Sequence, residues 1–243
     1  MQDRNASKAS QPVYLGVDVA GASNTWVSAL SAGGGGLTVV HGPRLASLKD
    51  IVGYCAESNV VAVVIDAQLA IALSDENGFR ASDTYLKKML PEDCQDWVMS
   101  FNSLMAVPVR GRLLADHLSP TVGTLLETHP RASLLFGLGH VEEEIHTAIR
   151  KYKSSKVEAN VRRAHTKTLW QHWSEQFGIV HHEPVRDDGA LDSLVCATVA
   201  HQFHYAPAAL YKLRHEVPEK TGRGPFYVLS PDPKPAISDI NVF

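Results

Sequence analysis

The sequence predicts an α/β protein: a mixed five-stranded sheet with flanking helices and one helical insertion. Three observations predict it. Three short runs rich in β-branched residues lie near the start, separated by turn chemistry; the wholly apolar run over residues 60–65 has no polar alternation, as in a central strand covered on both faces; and helical periodicities fill the gaps between the later strands. In order, residues 13–19 and 25–30 form a hairpin about a turn at 21–24, and glycines 33–36 turn the chain into a third strand at 37–40. That glycine run has no following Lys-Ser/Thr or helix start, so it predicts a loose hairpin turn rather than a phosphate cradle. Leu45, Leu48, Ile51, Val52 and Cys55 recur at helical spacing, and strand 60–65 follows. Residues 67–120, with a helix at 82–90, predict the insertion, and 122–126 predict the fifth strand. Residues 132–180 are mostly helical, a last helix covers about 188–203, and 225–229 predict a late edge strand. The expected domain spans 13–230, between a flexible tail at 1–12 and a mobile one at 231–243.

Composition excludes several classes. With 243 residues and 44% apolar content the chain can bury a substantial core. No apolar run approaches the roughly 20 residues that span a bilayer, and MQDRNASKASQP lacks the apolar stretch of a signal peptide. The expectation is a cytoplasmic protein with no membrane partner. Cys55, Cys94 and Cys196 are odd in number and form no C-x-x-C pair, which predicts reduced thiols rather than a disulfide framework or a zinc ribbon. The 12 histidines make no H-x-x-x-H. A net charge of -3 gives no global attraction to nucleic acid, so such binding needs a local patch.

Four acids end or interrupt apolar elements: Asp18 in YLGVDVAG, Asp66 in VVAVVIDAQ, Glu127 in TVGTLLETHP and Asp192 in DDGALDSLVCATVA. A carboxylate taken out of water is costly unless it is paired or binds a cation, so these departures predict one site where the elements meet. Strands four and five arrive by helical crossovers and so lie parallel to strand one. Their acids then share one rim of the sheet, where open α/β folds hold ligands. Alternation puts Asp18 on the face of Tyr14 and Gly16, although it also suits accepting hydrogen bonds from the Gly21-Ala22-Ser23 turn. Asp66 taken alone equally suits a cap, and Glu127 suits either a metal or an arginine. Asp187 and Asp188 suit N-caps of the last helix as well as metal binding. Asp192 lies one turn further in, on the stripe of Asp188, Val195 and Val199, where no cap is needed. An all-oxygen set suits Mg²⁺ or Mn²⁺ rather than zinc, and two such ions would suit phosphodiester cleavage.

The blocks GVDVAG, VVIDAQLA, the Arg80-Ala-Ser-Asp83 element, LLETHP and DDGALDSLVCATVA, in that order, resemble the predicted nucleases of domain of unknown function (DUF) family 429, in the ribonuclease-H-like superfamily. The resemblance spans nearly all of the chain between the tails. It implies that fold, and acids on strand one, strand four and the last helix, here Asp18, Asp66 and the pair Asp188 and Asp192, with Glu127 as the strand-five glutamate. Where the family usually has Pro after Asp-Ala on strand four this chain has Gln68, which keeps the acid and changes the next loop.

Other residues extend the candidate site. Arg80 suits holding a phosphate near the acids or a local salt bridge with Asp83. His129, two residues beyond Glu127, suits a proton-transfer or supporting role. Seven basic residues lie between Arg150 and Lys167 against Glu158 alone; of these Lys151, Lys153, Arg162 and Arg163 are the expected contacts to nucleic-acid phosphates. Trp170 and Trp173 suit either base stacking or the core. The function expected is that of a metal-dependent nuclease. Two alternatives stand beside it: a non-catalytic nucleic-acid or protein-binding module, and an actin-like or kinase-like ATP-binding protein, from a distant echo of a phosphate loop in GVDVAGAS.

Overall fold

A computed structural model describes residues 11–33, 36–70, 76–104, 106–138, 142–213 and 224–231. The tails at 1–10 and 232–243, and Gly34 and Gly35 of the glycine run, lie outside the described residues. In chain order the strands are β1 (Val13–Asp18), β2 (Trp26–Gly33), β3 (Gly36–Leu45), β4 (Val60–Asp66), β5 (Thr124–Glu127), β6 (Ile179–Val180), β7 (Leu210–Lys212) and β8 (Tyr227–Leu229). The α-helices are α1 (Leu48–Glu57), α2 (Ala81–Met89), α3 (Phe101–Leu104), α4 (Ala106–Leu118), α5 (Pro130–Leu138), α6 (Glu143–Lys151), α7 (Ala159–Phe177) and α8 (Asp188–Tyr205).

The main sheet has six strands in the order β5-β4-β1-β2-β3-β6, rather than the five expected. The addition is β6, two residues parallel to β3, too short to leave a periodicity in the sequence. Within the sheet β2 alone runs against the others. Residues 225–229 also depart from expectation: β8 pairs with β7 in a separate two-stranded sheet, while Phe226 makes a single parallel bridge to Glu127 at the edge of β5.

Helices cover both faces. Leu15, Val17, Val63 and Ile65 pack with Ile51 of α1 and with Leu114 and Leu118 of α4 on one side. Tyr14, Ala62, Val64 and Leu126 pack with α5, α7 and α8 on the other. Thus α4, at the end of the expected insertion, is the crossover between β4 and β5, while α2 and the 3₁₀ turn Glu92–Trp97 send Leu86, Leu90 and Cys94 into the core on the α8 side. Every residue of α8 from Gly189 to Ala200 is buried, so the helix has no polar stripe there, as a helix central to a core requires. Among the described residues no helix is long and apolar enough to cross a membrane.

Candidate metal centre

Backbone packing brings the acids together. In the parallel β1–β4 pair, Asp18 is the register partner of Asp66, so the two carboxylates stand side by side on the α8 face. Helix α8 then approaches β1 closely because Gly16 has no side chain; a Cβ there would collide with the backbone of Ser193 and Ala197. Gly189 likewise leaves room for Trp26 and for Asp18 Oδ2. Asp192 consequently faces the strand ends, and Asp18, Asp66 and Asp192 each offer an oxygen within 4.8 Å of the others. The turn after Asp18 is held by Thr25 and by Arg110 Nε, which donates to Ala20 O at 2.8 Å, rather than by the Asp18 carboxylate. Asp188, exposed in the first turn of α8, is near enough to raise Asp18 but lies outside the three-acid set.

One cation already sits among these acids. Lys153 Nζ pairs with Asp192 Oδ2, and the hydroxyl of the fully buried Tyr152 donates to Asp192 Oδ1 at 2.9 Å. Lys153 was expected on a nucleic-acid-binding face; the turn after α6 points it inward instead. That turn is anchored by Arg131 of α5, whose guanidinium donates to Ile149 O at 3.0 Å and Arg150 O at 2.6 Å and lies 3.9 Å over the Trp97 ring. Burial works against the ammonium, but Asp192, Tyr152, Asp18 and Asp66 outweigh it and keep Lys153 charged. Burial pushes Asp18 up to about 7 against the pull of Lys153, and burial followed by the Asp18 charge holds Asp66 well above the usual carboxylate range. The donor set fits a hard divalent cation. It is all carboxylate, and the neighbouring Cys196 thiol stays protonated because burial and then the acids raise it.

Glu127 does not join the set. Its register partner is Ile65, one residue short of Asp66, so its side chain leaves the strand beside the three acids rather than among them, at a part of the same cavity lined by Arg80 and Asp83, where its charge still adds to the rise of Asp66. Arg80 takes it there: Nη1 donates to Oε2 at 2.9 Å, Nη2 to Oε1 at 2.5 Å, and Leu69 N adds a bond to Oε2 at 2.8 Å. The same guanidinium binds Asp83 through Nε at 3.0 Å and Nη2 at 2.7 Å. The Arg80–Asp83 pair is therefore the local salt bridge the sequence allowed, but a buried one tied to Glu127. His129 is also structural: Nε2 bonds Trp97 O at 3.2 Å, Nδ1 accepts from Ala132 N at 3.1 Å, and burial lowers it to about 4.

A cavity of about 270 Å³ opens beside the acids, lined among others by Asp18, Asp66, Gln68, Trp97, His129 and Lys153. Gln68 Nε2 donates to Asp83 Oδ2 and Met99 O, which fixes its amide orientation, since only the NH₂ can serve two acceptors. Its buried Oε1 accepts no hydrogen bond from the described residues. Sequence reading noted Gln68 only as a departure and missed Trp97, Arg131 and Tyr152 altogether. Trp97 and Arg131 carry no signal in an isolated sequence; a basic residue directly after a buried tyrosine, Tyr152-Lys153, is at most a weak one. In the basic segment, Lys151 and Arg163 are exposed, while Arg162 donates to Val157 O at 2.5 Å. Trp170 and Trp173 are core residues, Trp173 donating to Thr198 Oγ1 at 3.0 Å, so neither is available to a base. No family model matches the chain, and comparison with curated proteins and with solved structures finds no match.

Proposed function

We propose that this chain is a metal-dependent nuclease of the ribonuclease-H-like superfamily, related to DUF family 429, that hydrolyses a phosphodiester of nucleic acid on Mg²⁺ or Mn²⁺. The observation that carries the reading is the convergence of Asp18, Asp66 and Asp192 from β1, β4 and α8 within 4.8 Å. A sheet in which β2 alone runs against β1, β3, β4 and β5, with acids at the β1 and β4 ends, supports the superfamily assignment. A bound divalent ion would activate water and stabilise the leaving oxygen. The chain's own part is to hold the acids at fixed spacing, to present the Lys153 charge, and to wall the reacting phosphate from bulk water in the adjoining cavity. Lys151, Arg163 and their exposed neighbours supply positive charge for the strand.

One observation favours the non-catalytic module instead: Lys153 already compensates part of the acid charge. Incubation of the protein with single-stranded and duplex DNA and RNA in Mn²⁺, Mg²⁺ or EDTA separates the readings. Cleavage that needs metal and disappears in Asp66→Asn is the expected result. Metal-independent behaviour, with nucleic-acid binding intact and no cleavage, would put the binding module in its place.

A further inference from the structure

Resting on the metal reading above, we infer that the centre takes one divalent cation, held mainly by Asp18 and Asp66, and that Lys153 is the fixed second cation on Asp192. From the sequence alone, two such ions suit phosphodiester cleavage. The structure removes Glu127 from the set and adds an ammonium. Once the three carboxylates have given up their protons to bind a cation, they and one lysine leave two negative charges, which one divalent ion neutralises; a second ion would leave the site strongly positive, at a cost that grows as water is excluded.

Geometry assigns the positions. Both oxygens of Asp192 are engaged, Oδ1 by Tyr152 and Oδ2 by Lys153. Asp18 and Asp66 are the register-matched pair at the strand ends that line the cavity. Mg²⁺ and Mn²⁺ sites of this kind use one or two carboxylates and complete their shell with water and substrate phosphate. Lys153 is not a surface lysine that happens to fold inward. The preceding Tyr152 is buried, the carbonyls of Ile149 and Arg150 are clamped by Arg131, and Arg150 Nε is paired with Asp93 at 2.7 Å. The ammonium therefore remains on Asp192 while an ion binds beside it, as a positioning residue that sets the metal count.

Mn²⁺ bound to the full chain, counted by calorimetric titration and read by electron paramagnetic resonance, tests this without reference to activity. The wild type should bind one ion per chain and give the spectrum of an isolated Mn²⁺. Lys153→Met should either take up a second ion, with an exchange-coupled spectrum, or hold its single ion at least about tenfold more tightly, because a repelling charge a few ångströms away is gone. Two exchange-coupled ions in the wild type would overturn the inference and leave the metal-dependent reading standing. Lys153→Met with the wild-type count and affinity would overturn it in the same way. No Mn²⁺ in either protein would remove both. The wild-type count needs no variant, so a misfolded Lys153→Met does not protect the inference.

Discussion

In the absence of metal, Lys153 and Asp192 should depend on each other unequally. Asp192 is fully buried, whereas the Lys153 side chain is 29% exposed. Removing one partner of a buried pair costs about 3–5 kcal/mol because the other charge is stranded. Lys153→Met strands Asp192 where no water reaches it, with Asp18 and Asp66 alongside, so the full range of about 3–5 kcal/mol is expected near neutral pH, less at lower pH where Asp192 takes up a proton. Asp192→Asn strands an ammonium that can turn toward solvent, and it relieves repulsion among the acids, so a loss of about 1–2 kcal/mol is expected. Lys153→Met/Asp192→Asn should then be more stable than the sum of the single losses allows, by roughly 2 kcal/mol or more. The measurement is guanidinium unfolding of the four proteins in EDTA. Additive losses, or an Asp192→Asn loss larger than that of Lys153→Met, would refute the assignment of Lys153 as the counter-charge of the cluster.

Three further outcomes are expected. Glu127→Gln should leave Mn²⁺ binding within about threefold of wild type while lowering stability, because its partner is Arg80 and not the ion; a loss of Mn²⁺ binding as large as that of Asp66→Asn in the same titration would return Glu127 to the metal set. Gly16→Ala should lose more than about 3 kcal/mol, or fail to fold, as the new methyl meets the α8 backbone; circular dichroism on melting reads it, and near-wild-type stability would mean that α8 can shift. His129 is held near 4 against an ordinary 6.5, so the native state binds fewer protons than the unfolded one. Its stabilisation is complete above about 6.5 and is lost as pH falls toward 4, and the stability advantage of wild type over His129→Gln should shrink by roughly 2–3 kcal/mol across that window; an advantage that grows on acidification would reverse the sign.

The parts of this molecule that were legible in its sequence are those where charge interrupts an apolar pattern. Asp18, Asp66 and Asp192 stand out because each ends or interrupts an apolar element; a turn or a cap could explain Asp18 or Asp66 singly, but not the three together, and they do converge. Glu127 follows the same pattern but not the same geometry, since its place depends on which residue of β4 it pairs with, and register is a property of two strands together. Lys153 was miscast for a similar reason. A basic run read in one dimension counts charges, and the structure shows one of them turned into the cluster while Arg150 pairs with Asp93 and Lys151 faces solvent. The two residues of β6 were beyond any periodicity, and the partition of residues 67–120 into a crossover helix and the elements before it depends on which sheet face each covers.

The Arg131 clamp has a mechanical consequence. The guanidinium stacks on Trp97, which lines the cavity, and holds the Ile149 and Arg150 carbonyls near the end of α6, four and three residues before Lys153, whose ammonium sits on Asp192. The indole and the turn that carries Lys153 thus share one support, Arg131. One wall of the cavity and the counter-charge of the acids therefore rest on the same guanidinium, so a substitution of Arg131 reaches both.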